Sequence, residues 1–177
     1  GQDGSGLGVY ARRYDATGAA IGAEFRVNTT TADDQLTPAI ATDGAGNFVI
    51  AWASHGANWN IYAQRYTAAG AAAGGQFLVN ANTLNDQLAP VVGMTADGAF
   101  TVGWSSYTLL TQSWGVFAQR YNADGTKNGY EFVVNTNYTG DQRLTHAAMT
   151  PDGKIMFVWT SSGQDGSGLG VYARRYD

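Results

Sequence analysis

Apolar and polar residues alternate with a period of two along several short segments of the chain. Residues 9–14 and 48–52 show this pattern, and both segments are rich in β-branched and aromatic residues. Such segments favour β-strands with one buried face. Asp-Gly pairs, which are typical of tight turns, separate the segments at 43–44, 97–98, 124–125 and 152–153. No stretch has the period of an amphipathic helix, so the sequence predicts an all-β fold.

One strand motif recurs along the chain. It has the form V/I-Y/F-A-R/Q-R-Y and begins at Val9, Ile61, Val116 and Val171, with spacings of 52, 55 and 55 residues. Each copy continues through a glycine turn, a Phe-x-Val-Asn segment, an Asp-Gln pair, a run of small residues and a strand that ends in Trp. The chain is therefore a tandem array of one β-rich unit, copied three times and begun a fourth time.

Each unit contains four predicted strands, and repeated four-stranded units of this length most often stack radially as propeller blades. The small-residue run after Asp-Gln suits the crowded innermost strand. The Trp-ended strand and the Tyr-Ala-x-Arg-Tyr strand follow it, and the Phe-x-Val-Asn strand is outermost. We therefore expect an all-β fold of tandem four-stranded antiparallel β-propeller-type blades.

This order divides the chain into four parts. Residues 1–28 hold the last two strands of a first blade, 29–80 a second blade, 81–135 a third blade, and 136–177 the first three strands of a fourth. The first fifteen residues are identical to the last fifteen. Three units are fewer than the roughly four to eight blades of a closed ring. We expect an open or inter-chain array, partnered by self-association or by neighbouring repeats of a longer chain.

Two resemblances accompany these motifs. The segment T-P-D-G-K-I-M-F-V-W at 150–159, with G-V-Y-A at 170–173, resembles the blades of TolB-like propellers. Over the whole chain, G-Q-D-G-S-G-x-G-V-Y-A and the D-Q pair resemble more closely the tandem repeats of very large secreted bacterial surface proteins of the calcium-binding or adhesin-like kind. The second and third copies depart from that pattern because they lack Gln-Asp-Gly-Ser-Gly. The resemblance implies an extracellular or cell-surface location.

Charge and composition exclude several classes of function. The net charge is −4, and the chain has only two lysines, Lys127 and Lys154, and no basic stripe. A nucleic-acid partner would need such a stripe to hold its phosphates. No apolar run approaches the roughly 18 residues of a membrane span. The absence of cysteine excludes a disulfide scaffold, a thiolate metal site and a cysteine nucleophile.

Three charged or aromatic positions recur in the units, and we interpret them as structural. An Asp before the inner strand can accept backbone N–H groups and pin blade to blade. An Arg fork between aromatics can brace neighbouring blades, and the Trp that ends the second strand belongs in the core. These positions are Asp34, Asp86 and Asp141; Arg13, Arg65, Arg120 and Arg175; and Trp52, Trp104 and Trp159.

Calcium is the alternative role for the acidic residues. Asp3, Asp33 and Asp34 are the candidate ligands, because calcium takes roughly six to eight oxygen atoms. The second and third copies show no dense Asp-x-Asp spacing, so we expect no cofactor.

The sequence offers no convergent catalytic set. His55 and His146 lie at different repeat positions, and His146 stands where earlier copies carry Pro38 and Pro90. Neither a metal trio nor a Ser-His-Asp set follows from this spacing. Glu24 and Glu131 recur on the outer strand, where we expect solvation rather than glycosidase chemistry. The sequence therefore predicts no catalytic residue and a protein that is not an enzyme.

The connections that follow the three core tryptophans differ between copies. Trp59, Tyr107 and Trp114 lie in them and fit no repeat position. One hypothesis is a structural repeat module of an extracellular surface protein or fibre, which assembles through blade-to-blade or subunit contacts. The alternative is a lectin-like propeller whose loop aromatics stack on glycans, since loops on a rigid scaffold often carry binding residues. Leu109, Leu110 and Trp114 could instead cover a neighbouring blade or subunit.

Overall fold

The computed structural model describes the backbone of all 177 residues and every side chain except those of Leu144 and Thr145. It is all-β, with thirteen strands in four antiparallel sheets. The strands are β1 (Tyr10–Tyr14), β2 (Ala20–Arg26), β3 (Gln35–Thr42), β4 (Phe48–Ser54), β5 (Asn60–Tyr66), β6 (Phe77–Leu78), β7 (Gln87–Met94), β8 (Phe100–Thr108), β9 (Ser113–Tyr121), β10 (Phe132–Val133), β11 (Gln142–Met149), β12 (Ile155–Ser162) and β13 (Leu169–Tyr176).

Strands that follow one another in the chain are also neighbours in a sheet. Two sheets are complete, with the orders β3-β4-β5-β6 and β7-β8-β9-β10. The first sheet has only β1 and β2, and the last has β11, β12 and β13. The small-residue, Trp-ended, Tyr-containing and Phe-containing strands succeed one another in the predicted order. The predicted fold class of four-stranded antiparallel blades is therefore confirmed.

The first strands of the three later sheets, β3, β7 and β11, lie side by side. Pro38, Pro90 and His146, which share one repeat position, line a cavity between these strands. The residues before the two prolines, Thr37 and Ala89, have positive φ angles of 51° and 52°, and the strand register shifts there. The side chain of Thr145, the third residue at this position, lies outside the described part.

The core lies between successive sheets. All seven residues of β4 are buried, including Trp52. Trp104 and Trp159 take the same place in the next two sheets, with exposed fractions of 0% and 5%. These tryptophans pack within hydrophobic clusters of the blades. Burial of such large aromatic surfaces is a main source of folding free energy.

Candidate functional site

The recurring aspartates join one blade to the next through the backbone. In each case Oδ1 accepts the N–H of the residue two positions before the strand motif of the preceding blade. The pairs are Leu7 to Asp34 at 2.8 Å, Trp59 to Asp86 at 3.1 Å, and Trp114 to Asp141 at 3.1 Å. A carboxylate in this place satisfies an N–H that no strand neighbour can reach.

Those bonds also show that Trp59 and Trp114 are equivalent residues. Each stands two residues before the strand motif, where the first and last copies carry Leu7 and Leu169. The interpretation that both tryptophans fit no repeat position is therefore wrong. It arose because the two connections differ in length when counted forward from the core tryptophan. Counting backward from the strand motif aligns them.

The two equivalent tryptophans have different surroundings. The Trp59 ring lies 4.8 Å from the ring of His55 and packs against the core beside it. The Trp114 ring lies 5.7 Å from the ring of Tyr107, edge to face, and the Arg143 guanidinium sits 4.4 Å from its centroid. The structure thus brings Tyr107 and Trp114 together and leaves Trp59 on another blade.

Beside Trp114 the third blade carries a recess of about 230 Å³. Aromatic and apolar walls are supplied by Trp114, Phe117, Tyr138 and Leu110, of which Leu110 is 97% exposed and Tyr138 59%. Thr108, Thr111 and Ser113 also line the recess, and their hydroxyl groups are linked to one another by hydrogen bonds. The recess is therefore mainly apolar with a few polar groups, the usual make-up of a small-molecule site.

The three calcium candidates do not form a ligand set. Asp34 is engaged by the Leu7 N–H, Asp33 lies 4.0 Å from His55, and Asp3 lies 3.5 Å from the amide nitrogen of Asn28. Among the described residues, no three His, Asp or Glu side chains converge in a way that could hold a metal ion.

Two of the recurring arginines reach across to the next blade. Nη1 of Arg13 donates to the carbonyl of Ala68, and Nη1 of Arg65 donates to that of Ala123, each at 2.7 Å. The acceptor in both cases lies in the turn after the third strand of the following blade. In both cases the guanidinium braces the next blade by bonding a backbone carbonyl.

The other two arginines lie closer to the end of the chain. Arg120 lies over the rings of Phe132 and Tyr176, at 5.5 and 6.0 Å from their centroids. Arg175 pairs with Asp177 at 3.3 Å, and both side chains are largely exposed.

Sequence reasoning missed a further contact between blades. Oε1 of Gln76 accepts the N–H of Thr29, and Oε2 of Glu131 accepts that of Ala81, each at 2.8 Å. Glu131 is therefore a contact between blades as well as a partly exposed carboxylate. Gln76 and Glu131 share the repeat position of Glu24, which accepts a hydrogen bond from Gln2. The signal available in sequence was the recurrence of an acceptor side chain before each Phe-x-Val-Asn segment.

Buried tyrosines form a further hydrogen bond between neighbouring blades. The hydroxyl of Tyr66 donates to the carbonyl of Val27 in the preceding blade at 3.4 Å, and burial raises the pKa of Tyr66 to about 12. Tyr121 repeats the contact with Val79 at 3.5 Å, and burial again raises the pKa of its hydroxyl. These phenols are neutral, packed groups at ordinary pH.

No protein-family model matches the chain, and no curated protein matches it. The part of the chain that the structure describes contains no helix with the length and apolar character needed to cross a membrane.

Solved structures do share its fold. One is an endo-arabinase from Bacteroides thetaiotaomicron, with a TM-score of 0.51 and 13% identity over 86% of this chain and 61% of that one. A protein of unknown function from Dyadobacter fermentans gives 0.54 and 12%, over 81% and 51%. A thermostable family-43 glycoside hydrolase gives 0.50 and 14%, over 94% and 66%. The chain thus spans about half to two-thirds of the length of these structures, and the likeness shows the fold.

The prediction that the chain is not an enzyme is contradicted by these comparisons. The fold that it adopts is the scaffold of solved glycoside hydrolases. The prediction rested on the two histidines, His55 and His146, which lie at different repeat positions. In a propeller, groups that act together can come from different blades, so the lack of a repeated cluster excludes no activity.

Proposed function

We propose that this chain is a β-propeller segment of an extracellular protein that binds carbohydrate in the recess beside Trp114. The observation that carries the proposal is the combination of aromatic side chains and hydroxyl groups in the lining of one recess. The fold supports it, because solved structures on the same scaffold include an endo-arabinase and a xylanase.

A sugar ring has an apolar face of C–H groups and a rim of hydroxyl groups. Trp114 and Tyr138 offer flat apolar surfaces for the face, and Thr108 and Thr111 offer hydroxyls for the rim. The Arg143 guanidinium restrains the indole, so little side-chain entropy is lost on binding. The recess is smaller than the roughly 300–1,000 Å³ of pockets that take drug-sized ligands. We infer that it holds one sugar residue, such as a chain end or a side branch.

Titration calorimetry with oligosaccharides from arabinan and xylan, after a glycan-array survey, tests the proposal. Leu is the natural residue at this repeat position in two copies, so Trp114→Leu preserves the fold while removing the aromatic surface. We expect it to weaken binding at least tenfold. Trp59→Leu is the matched control at the equivalent position and should bind like the parent chain. Absence of binding by the parent, or equal losses in both variants, would contradict the proposal.

The second candidate is a structural repeat module of a surface protein or fibre. It is favoured by the recurrence of the same inter-blade hydrogen bonds at successive junctions, made by Asp, Arg, Gln or Glu, and Tyr. The resemblance to tandem repeats of secreted surface proteins also supports it. Electron microscopy of the purified protein tests this role: ordered multi-chain particles or filaments support it, and isolated single chains contradict it.

A further inference from the structure

Val9 and Val171 belong to identical fifteen-residue segments but differ in burial. Val9 is 3% exposed and Val171 is 75% exposed. The sequence around them is the same, so the neighbours make the difference. Strand β1 has β2 along its outer edge and no partner on its inner edge within the described chain, whereas β13 has β12 along its inner edge and no described strand outside it. Each segment has the neighbour that the other lacks.

We propose that two copies of this chain combine their incomplete end sheets, with three strands on one copy and two on the other, into one complete blade. Strands β11 and β12 of one copy supply the first two places, and β2 of a second copy supplies the fourth. The third place is filled by β13, which takes the position beside β2 that the identical β1 of the second copy otherwise holds. The resulting sheet reproduces the four-stranded order of the two complete sheets.

The register of the new pairing follows from the sequence identity. Strand β2 pairs with β1 so that Ile21 lies opposite Arg13 and Phe25 lies opposite Ala11. The equivalents of these β1 residues on β13 are Arg175 and Ala173. A second β2 therefore fits β13 with the same side chains opposed. A long, unprotected strand edge is a ready template for such pairing.

The contacts between blades support the same arrangement. At internal junctions an Arg donates to a turn carbonyl of the next blade, and a Gln or Glu of the next blade accepts a backbone N–H. At the junction between copies, Arg120 would donate to the carbonyl of Ala16 of the second copy. Glu24 of the second copy would accept the N–H of Thr136. This chain therefore contains both halves of the junction.

Exposed apolar residues mark the surfaces that would be covered. Val171 on β13 is 75% exposed, and Tyr14 and Ile21 on the other sheet are 58% and 43% exposed. Tyr176 holds the same repeat position as Tyr14. It is half-buried, because its ring packs on Phe157 and its hydroxyl donates a hydrogen bond to a carbonyl of the preceding blade. Covering these side chains would remove apolar surface from water at both edges.

Two copies joined at both ends would make six complete blades, within the roughly four to eight of closed propellers. A head-to-tail contact of this kind forms a ring when its rotation closes. This pairing deepens the structural role proposed above and rests on it, but it does not rest on carbohydrate binding.

Cysteine pairing tests the register directly, because the chain has no cysteine of its own. One chain carries Ile21→Cys, a second carries Arg175→Cys, and the two are mixed and mildly oxidised. Directly opposed residues meet the roughly 4.4–6.8 Å Cα separation of a disulfide. We expect a covalent two-chain product on a non-reducing gel. The matched control replaces Arg175→Cys by Leu169→Cys, an exposed site six residues along the same strand and so about 20 Å out of register.

Equal cross-linking in both mixtures, or none in either, would overturn the proposal. Light scattering of the unaltered chain provides a measurement that does not depend on the variants. We expect the mass of two chains, and a single-chain mass at every concentration would also overturn the proposal. If electron microscopy shows ordered assemblies while the in-register cysteines fail to cross-link, the structural role stands and this pairing is wrong.

Discussion

Arg65 donates a 2.7 Å hydrogen bond to the backbone carbonyl of Ala123, which lies in a turn of the next blade. Replacing it by Arg65→Met keeps most of the aliphatic stem and removes the donor. A bond from a charged donor is worth about 1.5–3 kcal/mol, and partial exposure places this one near the lower value. We expect the free energy of unfolding in urea to fall by about 1.5 kcal/mol.

Arg12→Met is the matched control for that experiment. Arg12 is exposed and lies over the ring of Tyr14 within its own sheet. Its replacement should change the free energy of unfolding by less than about 0.5 kcal/mol. Equal effects of the two substitutions would show that Arg65 does not brace the blades.

A side chain at Gly70 should cost more stability than one at an unobstructed turn glycine. Its φ is +86°, and a Cβ added there would lie 2.6 Å from Nε of Arg13. Gly129 has a φ of +77° with open space around the same point, so Gly129→Ala reports backbone strain alone, about 1–2 kcal/mol. Gly70→Ala should cost at least about 1 kcal/mol more, because Arg13 must also move. Chemical denaturation of both variants checks the difference, and equal losses would refute the close contact.

Gln87 is 1% exposed, and its Oε1 accepts the indole N–H of Trp104 at 2.9 Å. Gln87→Leu would leave that buried N–H without a partner, at a cost of about 1–3 kcal/mol. The change should appear in urea unfolding followed by tryptophan fluorescence. Gln112→Leu, at an exposed loop position, is the control and should be nearly neutral. A neutral Gln87→Leu would contradict the buried bond.

Alkaline pH should destabilise the fold through its buried tyrosines. Tyr66 has a pKa raised from 10 to about 12, so its neutral form is favoured in the folded state. The stability that it contributes is fully present below pH 10 and is lost as the pH rises from about 10 to 12. We expect Tyr66→Phe to reduce the fall in thermal midpoint between pH 9 and pH 11.5. Tyr14→Phe, at a 58% exposed site, should leave that fall unchanged.

The order of strands within a blade could be predicted because it depends on residue size and spacing. Alanine and glycine mark the inner strand, and the Trp-ended strand is buried on both faces in the two complete sheets. These are local properties of the sequence, and they recur in every copy, so a departure in one copy does not hide the pattern. The sheet order then follows because consecutive strands joined by short turns pair with each other.

The contacts between blades could not be predicted in the same way. The partner of Gln76 is the N–H of Thr29, forty-seven residues away, and nothing in either residue type specifies the other. The acceptor for Arg13 is the backbone carbonyl of Ala68, and because every residue has such a carbonyl, the residue type does not identify it as the partner. The recess beside Trp114 combines residues of β8, β9 and β10 with residues of two loops, so its shape depends on connections that differ between copies.

The bond from the Trp59 N–H to Asp86 has the same form as the bond from Leu7 to Asp34. A backbone donor meets a carboxylate on the following unit, so the bond does not depend on which side chain the variable connection carries at the donor position. Duplicating or deleting one whole unit in the gene would therefore leave every remaining junction with both of its halves. Length can change by recombination in steps of one unit, while the loops diverge independently.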